Sequence, residues 1–338
     1  MLTFCSPAQK AHAPLHELVN GGRMDHAETP ARLGGILARI GSVRSPGDQG
    51  LAAILAVHEP GYVAFLQGAH AAWLAAGRKG DAIGYAFPVR GRRPLQIDRI
   101  DGQLGQYGFD TVTPIAAGTW AAAYGAAQSA LSAVDAIARG EAAQAFAACR
   151  PPGHHAGADY FGGYCYLNNA AIAARAALAQ GLGPVAVLDV DYHHGNGTQD
   201  IFYEHGEVIF ASIHADPRTD FPYFWGHADE RGVGAGEGTT FNQPLPRGTT
   251  WATYEGALAK ALEAVSRFGA RTLIVSYGAD TYAQDPISQF ALATDDMQRM
   301  GAAISALGLP TVTLMEGGYN VAALGSNVAA FLAGVEGS

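Results

Sequence analysis

The chain predicts an α/β fold: an open, mainly parallel sheet in three layers, with helices on both faces. Three observations carry this expectation. Short apolar runs recur along the chain, longer Ala- and Leu-rich stretches lie between them, and the connections are short. The candidate strands are residues 2–5, 145–149, 185–189, 208–213, 273–277 and 311–315. They are apolar on both sides, as strands covered by helices on each face must be. The candidate helices are residues 120–139, 168–180, 251–268 and 295–307, with 320–332 closing the fold.

A chain of 338 residues is long enough for two average domains, yet sheets of this class often form one at that length. No stretch has a linker composition, so residues 1–338 read as a single catalytic domain. One segment breaks the alternation. Residues 82–99, AIGYAFPVRGRRPLQIDR, are rich in Gly, Pro and Arg without a clear period. A long functional loop insertion is the expectation, because structureless stretches of that length are uncommon in compact domains.

Apolar residues make up 49% of the chain and charged residues 15%, which supports a large buried core. The formal net charge is −9, and Lys and Arg form no cluster. This argues against nucleic acid as a partner and leaves cationic small molecules open. Cys5, Cys149 and Cys165 share no CxxC spacing and read as reduced, buried thiols. The start MLTFCSPAQK has no signal-peptide pattern, and no run of about 18 apolar residues spans a bilayer. A cytoplasmic protein without membrane partners is expected.

Four motifs carry chemistry. In VLDVDYHHGNGTQD (187–200) an apolar strand runs into Asp189, Asp191 and His193 at alternate positions. A period of two sets them on one side of an extended chain, at the strand end where parallel sheets build their sites. Two carboxylates and an imidazole converging there call for a cation; the bland alternative is a surface turn with a capped helix. In LIVSYGAD (273–280) another strand leads to Asp280. Alone, Asp280 reads as a helix N-cap; beside the first cluster it supplies a third ligand. Two Asp and one His leave coordination open for water and substrate, as a catalytic zinc needs, though Mn²⁺ and Fe²⁺ also accept this set.

RPPGHHAG (150–157) presents His154 and His155 on a turn stiffened by two prolines. Imidazoles held there suit acid–base work, and Asp189 and Asn196 remain to orient them. An Asp partner raises imidazole basicity more than an Asn does, so the two histidines should differ in pKa. In MEGGYN (315–320) the glycines let the backbone approach the site, and Tyr319 can donate its hydroxyl to a developing oxyanion. A lone tyrosine in a Gly turn is usually a packed aromatic; its place at a fourth strand end favours the functional reading.

These blocks, with FGGYCYLNNAA, DVDYHHGNGTQDIFY, SIH, SYGADTYAQDP and EGGYN in order from about Cys149 to Asn320, resemble the histone deacetylase superfamily. That resemblance implies the fold shared with arginase and zinc on Asp191, His193 and Asp280. It further implies Tyr319 on the scissile carbonyl, His155 as general base then acid, and His154 as electrostatic support. Asp189 and Asn196 correspond to the partners of His154 and His155. Asn196 looks like the class II and bacterial branches. A structural K⁺ near Asp189, Asp191, His193, Ser212 and Ile213 is implied, partly through carbonyls. Tyr164 matches an aromatic wall of the acyl tunnel, and Phe221 is a looser candidate for the other.

Within the superfamily, HELVNGG, AFPVR, IDGQLGQY and GTW in the N-terminal half resemble the bacterial acetylpolyamine amidohydrolases. In that branch the insertion supports homodimers with a narrowed mouth, and acidic rim residues recognise a cationic amine. Glu17 matches one of these; Asp101 stands where the family has glutamate. The expected activity is hydrolysis of N-acetyl or other N-acyl amines, acetylpolyamines first, to amine and carboxylate. Protein-lysine deacetylation and hydrolysis of neutral or xenobiotic small amides are alternatives on the same scaffold. A non-enzymatic metal-binding sensor fits less well, because every catalytic position holds a competent residue. An arginase-like dimanganese centre lacks its extra carboxylates.

Overall fold

The computed structural model describes residues 1–89 and 97–337. The strands are β1 (Leu2–Phe4), β2 (His16–Val19), β3 (Gly22–Asp25), β4 (Gln144–Ala147), β5 (Val185–Asp189), β6 (Val208–Ala215), β7 (Thr240–Leu245), β8 (Thr272–Tyr277) and β9 (Thr311–Met315). The helices are α1 (Pro30–Leu37), α2 (Ala52–Leu55), α3 (Pro60–Ala75), α4 (Ile100–Tyr107), α5 (Thr119–Ala138), α6 (Asn169–Ala179), α7 (Asn196–Phe202), α8 (Trp251–Phe268), α9 (Thr294–Ser305) and α10 (Val321–Glu336). Seven strands form one sheet in the order β1-β4-β9-β8-β5-β6-β7, and every neighbouring pair is parallel.

Side chains of each central strand divide by the two-residue period. Ala145 and Ala147 of β4, Val185 and Val187 of β5, and Val312 and Leu314 of β9 pack on one side, with α3, α5 and α6. Phe146, Ala186, Leu188, Leu273 and Val275 pack on the other, with α1, α8, α9 and α10. The result is the expected three-layer architecture. All six expected strands take their places in this sheet.

The expected elements stop short of the whole fold. The edge strand β7 escapes sequence reading because TFNQPL is half polar and contains Pro244, which an edge tolerates. The hairpin β2–β3 turns at Asn20 and Gly21, both with positive φ. That Asn-Gly pair is a hairpin signal. Helices α1 and α3 carry glycines at 34, 35, 61 and 68 that blur their period. Part of the insertion, residues 90–96, lies outside the described residues. Its beginning, residues 82–89, is tied down by paired backbone bonds between Ala82 and Ile115. Cys5, Cys149 and Cys165 are free and buried, as expected. Among the described residues, no helix is long and apolar enough to cross a membrane.

Helix α6 shows how the scaffold fixes the loops above the sheet. Its N-cap, Asn168, accepts the Ala171 N–H (2.9 Å) and donates to Ala156 O (2.9 Å) and Thr198 Oγ1 (3.1 Å). The Asn168 N–H in turn donates to Nε2 of buried His58 at 2.9 Å, so that nitrogen must be bare. Burial pushes His58 down to about 4. The unfolded chain, with imidazole near about 6.5, therefore takes up the proton first as pH falls. The stability His58 contributes is complete above about pH 6.5 and lost toward pH 4, on the order of 3 kcal/mol. Urea unfolding across that window should show a loss, and His58→Gln should lessen it by that amount; a loss unchanged in the variant would contradict the assignment.

Candidate active site

The functional residues gather beyond the carboxyl ends of four neighbouring strands, β4, β9, β8 and β5. Residues 150–157 follow β4, 190–196 follow β5, 278–280 follow β8 and 316–320 follow β9. Parallel sheets place their crevice at this edge, because every strand delivers a loop there.

Asp191, His193 and Asp280 come together, with one ligand atom from each lying within 4.8 Å of the others. Both carboxylates are fully buried. His193 Nδ1 lies 3.3 Å from Asp191 Oδ1 and 3.1 Å from Asp280 Oδ2. Backbone groups aim them: the His193 N–H donates to Asp191 Oδ1 (2.8 Å), the Gly317 N–H to Asp191 Oδ2 (2.8 Å) and the Tyr192 N–H to Asp280 Oδ1 (2.9 Å). Burial opposes the ionised form of Asp191, but the positive charges of His154 and His193 hold it well below the usual carboxylate range. Burial and the charge of Asp191 push Asp280 up. Two carboxylates this close stay ionised together only beside a cation, so the donor set fits a divalent ion.

Other buried groups fit one less well. His12, His26 and Glu28 also converge, but Arg32 and Arg150 already occupy Glu28 Oε1 at 2.6 and 2.9 Å. Their charges oppose a dication there.

The adjacent histidines differ as their partners predict. His154 Nδ1 meets Asp189 Oδ2 at 3.0 Å, and His155 Nδ1 meets Asn196 Oδ1 at 2.7 Å. Burial disfavours the charged imidazole of His154, but Asp189 and Asp191 outweigh it and bring the group up to about 10. His155 is paired with an amide rather than a carboxylate. Burial and the positive charges of His154 and His193 hold it well below its ordinary value. A neutral imidazole that can accept a proton thus sits beside a charged one. Ser212 lies opposite Asp189 in the β5–β6 register, with Ile213 next along β6.

A cavity of about 270 Å³ opens over these groups, lined by Glu17, Tyr164, His155, His193, Phe221 and Tyr319 among others. Tyr164 and Tyr319 meet edge to face with ring centres 5.5 Å apart, and Phe221 packs against the His155 ring at 5.1 Å. Tyr164 also donates to Glu17 Oε1 (3.1 Å), whose other oxygen meets His26 Nδ1 (2.9 Å). Asp101 does not join this cavity within its own chain. It sits at the start of α4, held by Arg78 and Arg99 in ion pairs of 2.8 and 2.9 Å.

Sequence reasoning missed the support beneath Tyr319. The Tyr319 N–H donates to Asp285 Oδ2 (2.7 Å), and the Arg32 guanidinium lies 4.8 Å from the ring centre. Arg32 also donates to Gly318 O and Glu316 O, both at 2.6 Å. Glu316 is fully buried, and burial pushes it up to about 7. EGGYN contained Glu316 in plain view, and an acidic residue running directly out of an apolar strand was the available signal.

Glycines at 278 and 317 make room for the carboxylates. A Cβ at Gly278 would stand 2.0 Å from Asp191 Oδ2 and 2.6 Å from Asp280 Oδ1. Gly278→Ala should therefore weaken divalent-ion affinity by about 10- to 100-fold in chelator competition. Wild-type affinity in that variant would contradict this geometry.

Comparisons with known proteins give the family. The histone deacetylase domain family matches residues 26–335. Acetylpolyamine amidohydrolase 2 of Pseudomonas aeruginosa is 51% identical over 342 residues, covering 100% of this chain and 99% of its own. Acetylpolyamine amidohydrolase of Mycoplana ramosa is 49% identical over 326 residues, covering 95% of each. The crystal structure of acetylpolyamine aminohydrolase from Burkholderia pseudomallei superposes with a TM-score of 0.94 at 42% identity, covering 99% of this chain and 98% of that one. With its parallel sheet, its buried Asp–His–Asp cluster and its paired histidines, this chain belongs to the histone deacetylase family and is a deacetylase-type amidohydrolase.

Proposed function

We propose that the chain is a zinc-dependent amidohydrolase that cleaves N-acetylated amines, acetylpolyamines in particular, to free amine and carboxylate. The supporting observation is the meeting of Asp191, His193 and Asp280 with His155 and Tyr319 at one narrow cavity. Full-length similarity to proteins named acetylpolyamine amidohydrolases supports the substrate class. Residues 1–338 act in this reading as one catalytic domain.

Asp191, His193 and Asp280 would hold the ion, which supplies charge that polarises the amide carbonyl and acidifies water from a pKa of about 15.7 toward about 7. His155 takes the proton of the attacking water and returns it to the departing nitrogen; Asn196 at its Nδ1 orients the ring for both transfers, and burial keeps the imidazole a weak enough base. His154, charged through Asp189, favours the negative charge that builds up beside it. Tyr319 donates its hydroxyl to the oxyanion. Tyr164 and Phe221 flank the acyl chain, and Glu17 draws the distal ammonium group of the substrate. Carbonyls and side chains around Asp189, Asp191, His193, Ser212 and Ile213 would hold a structural K⁺.

A homodimer completes the reading. Tyr85, Phe87 and Val89 at the beginning of the insertion are exposed, an apolar edge suited to a second copy. Asp101, engaged by two arginines of its own chain, would reach substrate only as part of a neighbouring copy's rim. Three free, buried thiols agree with a reducing, cytoplasmic setting.

The ratio of kcat/KM across acetylputrescine, acetylspermidine, an acetyl-lysine peptide and a neutral anilide tests the substrate class. Acetylated polyamines should lead; equal values for the neutral anilide would overturn the cationic-substrate reading. Tyr319→Phe should lower kcat by about 10²–10³-fold, the loss expected for one oxyanion donor. A variant turning over at the wild-type rate would remove Tyr319 from that role.

A further inference from the structure

We infer that Glu316 is the positioning residue of the double-histidine turn, an inference that rests on the amidohydrolase reading above. Glu316 directly follows β9, which lies between β4 and β8 in the sheet. Its backbone N–H donates to Tyr277 O (2.8 Å), fixing it against β8. Its side chain crosses to the loop after β4, where Oε2 accepts the Gly153 N–H (2.6 Å) and the His154 N–H (3.2 Å). The other oxygen, Oε1, accepts the Ser276 hydroxyl (3.1 Å), so both carboxylate oxygens are engaged.

These bonds join the histidine turn to the β8–β9 framework that also carries Asp280 and Tyr319. The Glu316 carbonyl accepts from Arg32, whose guanidinium sits over the Tyr319 ring. Tyr319 and the turn before His155 are thereby referenced to a single residue. Gly153 is needed for this approach: a Cβ there would stand 2.5 Å from Asn169 N and 2.8 Å from Leu167 O. The turn is packed closely against residues 167–169, and Glu316 holds two of its N–H groups. Glu316 is absent from the cavity lining, so it acts on substrate only through the histidines.

What the turn requires is an acceptor at the right reach. Glutamine supplies it: the amide oxygen takes both N–H groups, and the amide NH₂ donates to Ser276 Oγ. Aspartate keeps the charge but withdraws the acceptor by about 1.5 Å, the length of one carbon–carbon bond. A displacement on the scale of 1 Å at a reacting group costs about 10²-fold in rate. Reach and charge therefore predict opposite orders for Glu316→Gln and Glu316→Asp.

Full-length Glu316→Gln, Glu316→Asp and Glu316→Ala would be compared with wild type on acetylputrescine, alongside metal content per chain. Wild-type turnover reports on the functional reading; the order among variants reports on Glu316. Glu316→Asp and Glu316→Ala should lose about 10²-fold in kcat with KM and metal content held within about twofold, while Glu316→Gln stays within about fivefold of wild type. The inference is overturned if Glu316→Asp outperforms Glu316→Gln, if KM rises in step with the fall in kcat, or if metal is lost along with activity. The Gln–Asp comparison decides the matter even where the alanine variant fails to accumulate.

Discussion

Two carboxylates, Asp191 and Asp280, are forced into one buried space, and much of the surrounding structure follows from that repulsion. Each lies just beyond a central strand of a sheet whose every strand pair is parallel, so their approach is fixed by β5 pairing with β8. Backbone N–H groups of residues 192, 193 and 317 point at their oxygens, and glycines at 278 and 317 leave no side chain in the way. Donors of this kind offset part of the desolvation cost without neutralising either charge. The proposed divalent ion would offset what remains. The two adjacent histidines behave differently because His154 lies 3.0 Å from Asp189 and 3.9 Å from Asp191, whereas His155 pairs with the Asn196 amide.

A second buried charge system holds the site from below. Glu28 joins Arg32 and Arg150, both fully enclosed, and each arginine extends to loop carbonyls far away in sequence. Arg150 begins the histidine turn, and Arg32 braces the turn that bears Tyr319. Removing Glu28 would leave two arginines unpaired in the core, and one such uncompensated buried charge commonly costs about 3–5 kcal/mol. The N-terminal segment is thus as much a part of the site's frame as the strands are.

The central sheet was legible because parallel strands buried on both faces read as plain apolar runs, and six of them stood out. So did the proposed metal ligands and the two histidines, each placed just after such a run, where fold and chemistry reinforce each other. Long-range partners were harder to see. Glu28 and Arg32 stand more than a hundred residues from Arg150 and nearly three hundred from Gly318, and no local period announces a buried ion pair. Glu17 was found by resemblance alone, and the structure adds its partners His26 and Tyr164. Asp101 shows the opposite: a residue matched by position is turned to its own arginines, because α4 begins between Arg78 and Arg99. The edge strand β7 hid behind its polar composition.

One ion shared by Asp191, His193 and Asp280 would balance both buried carboxylates. The most direct test measures divalent-metal stoichiometry and turnover together in the wild type and in a folded Asp191→Ala/Asp280→Ala double variant. One ion per chain with activity is expected in the former, and neither in the latter. A double variant that still holds a stoichiometric ion and hydrolyses substrate would contradict it.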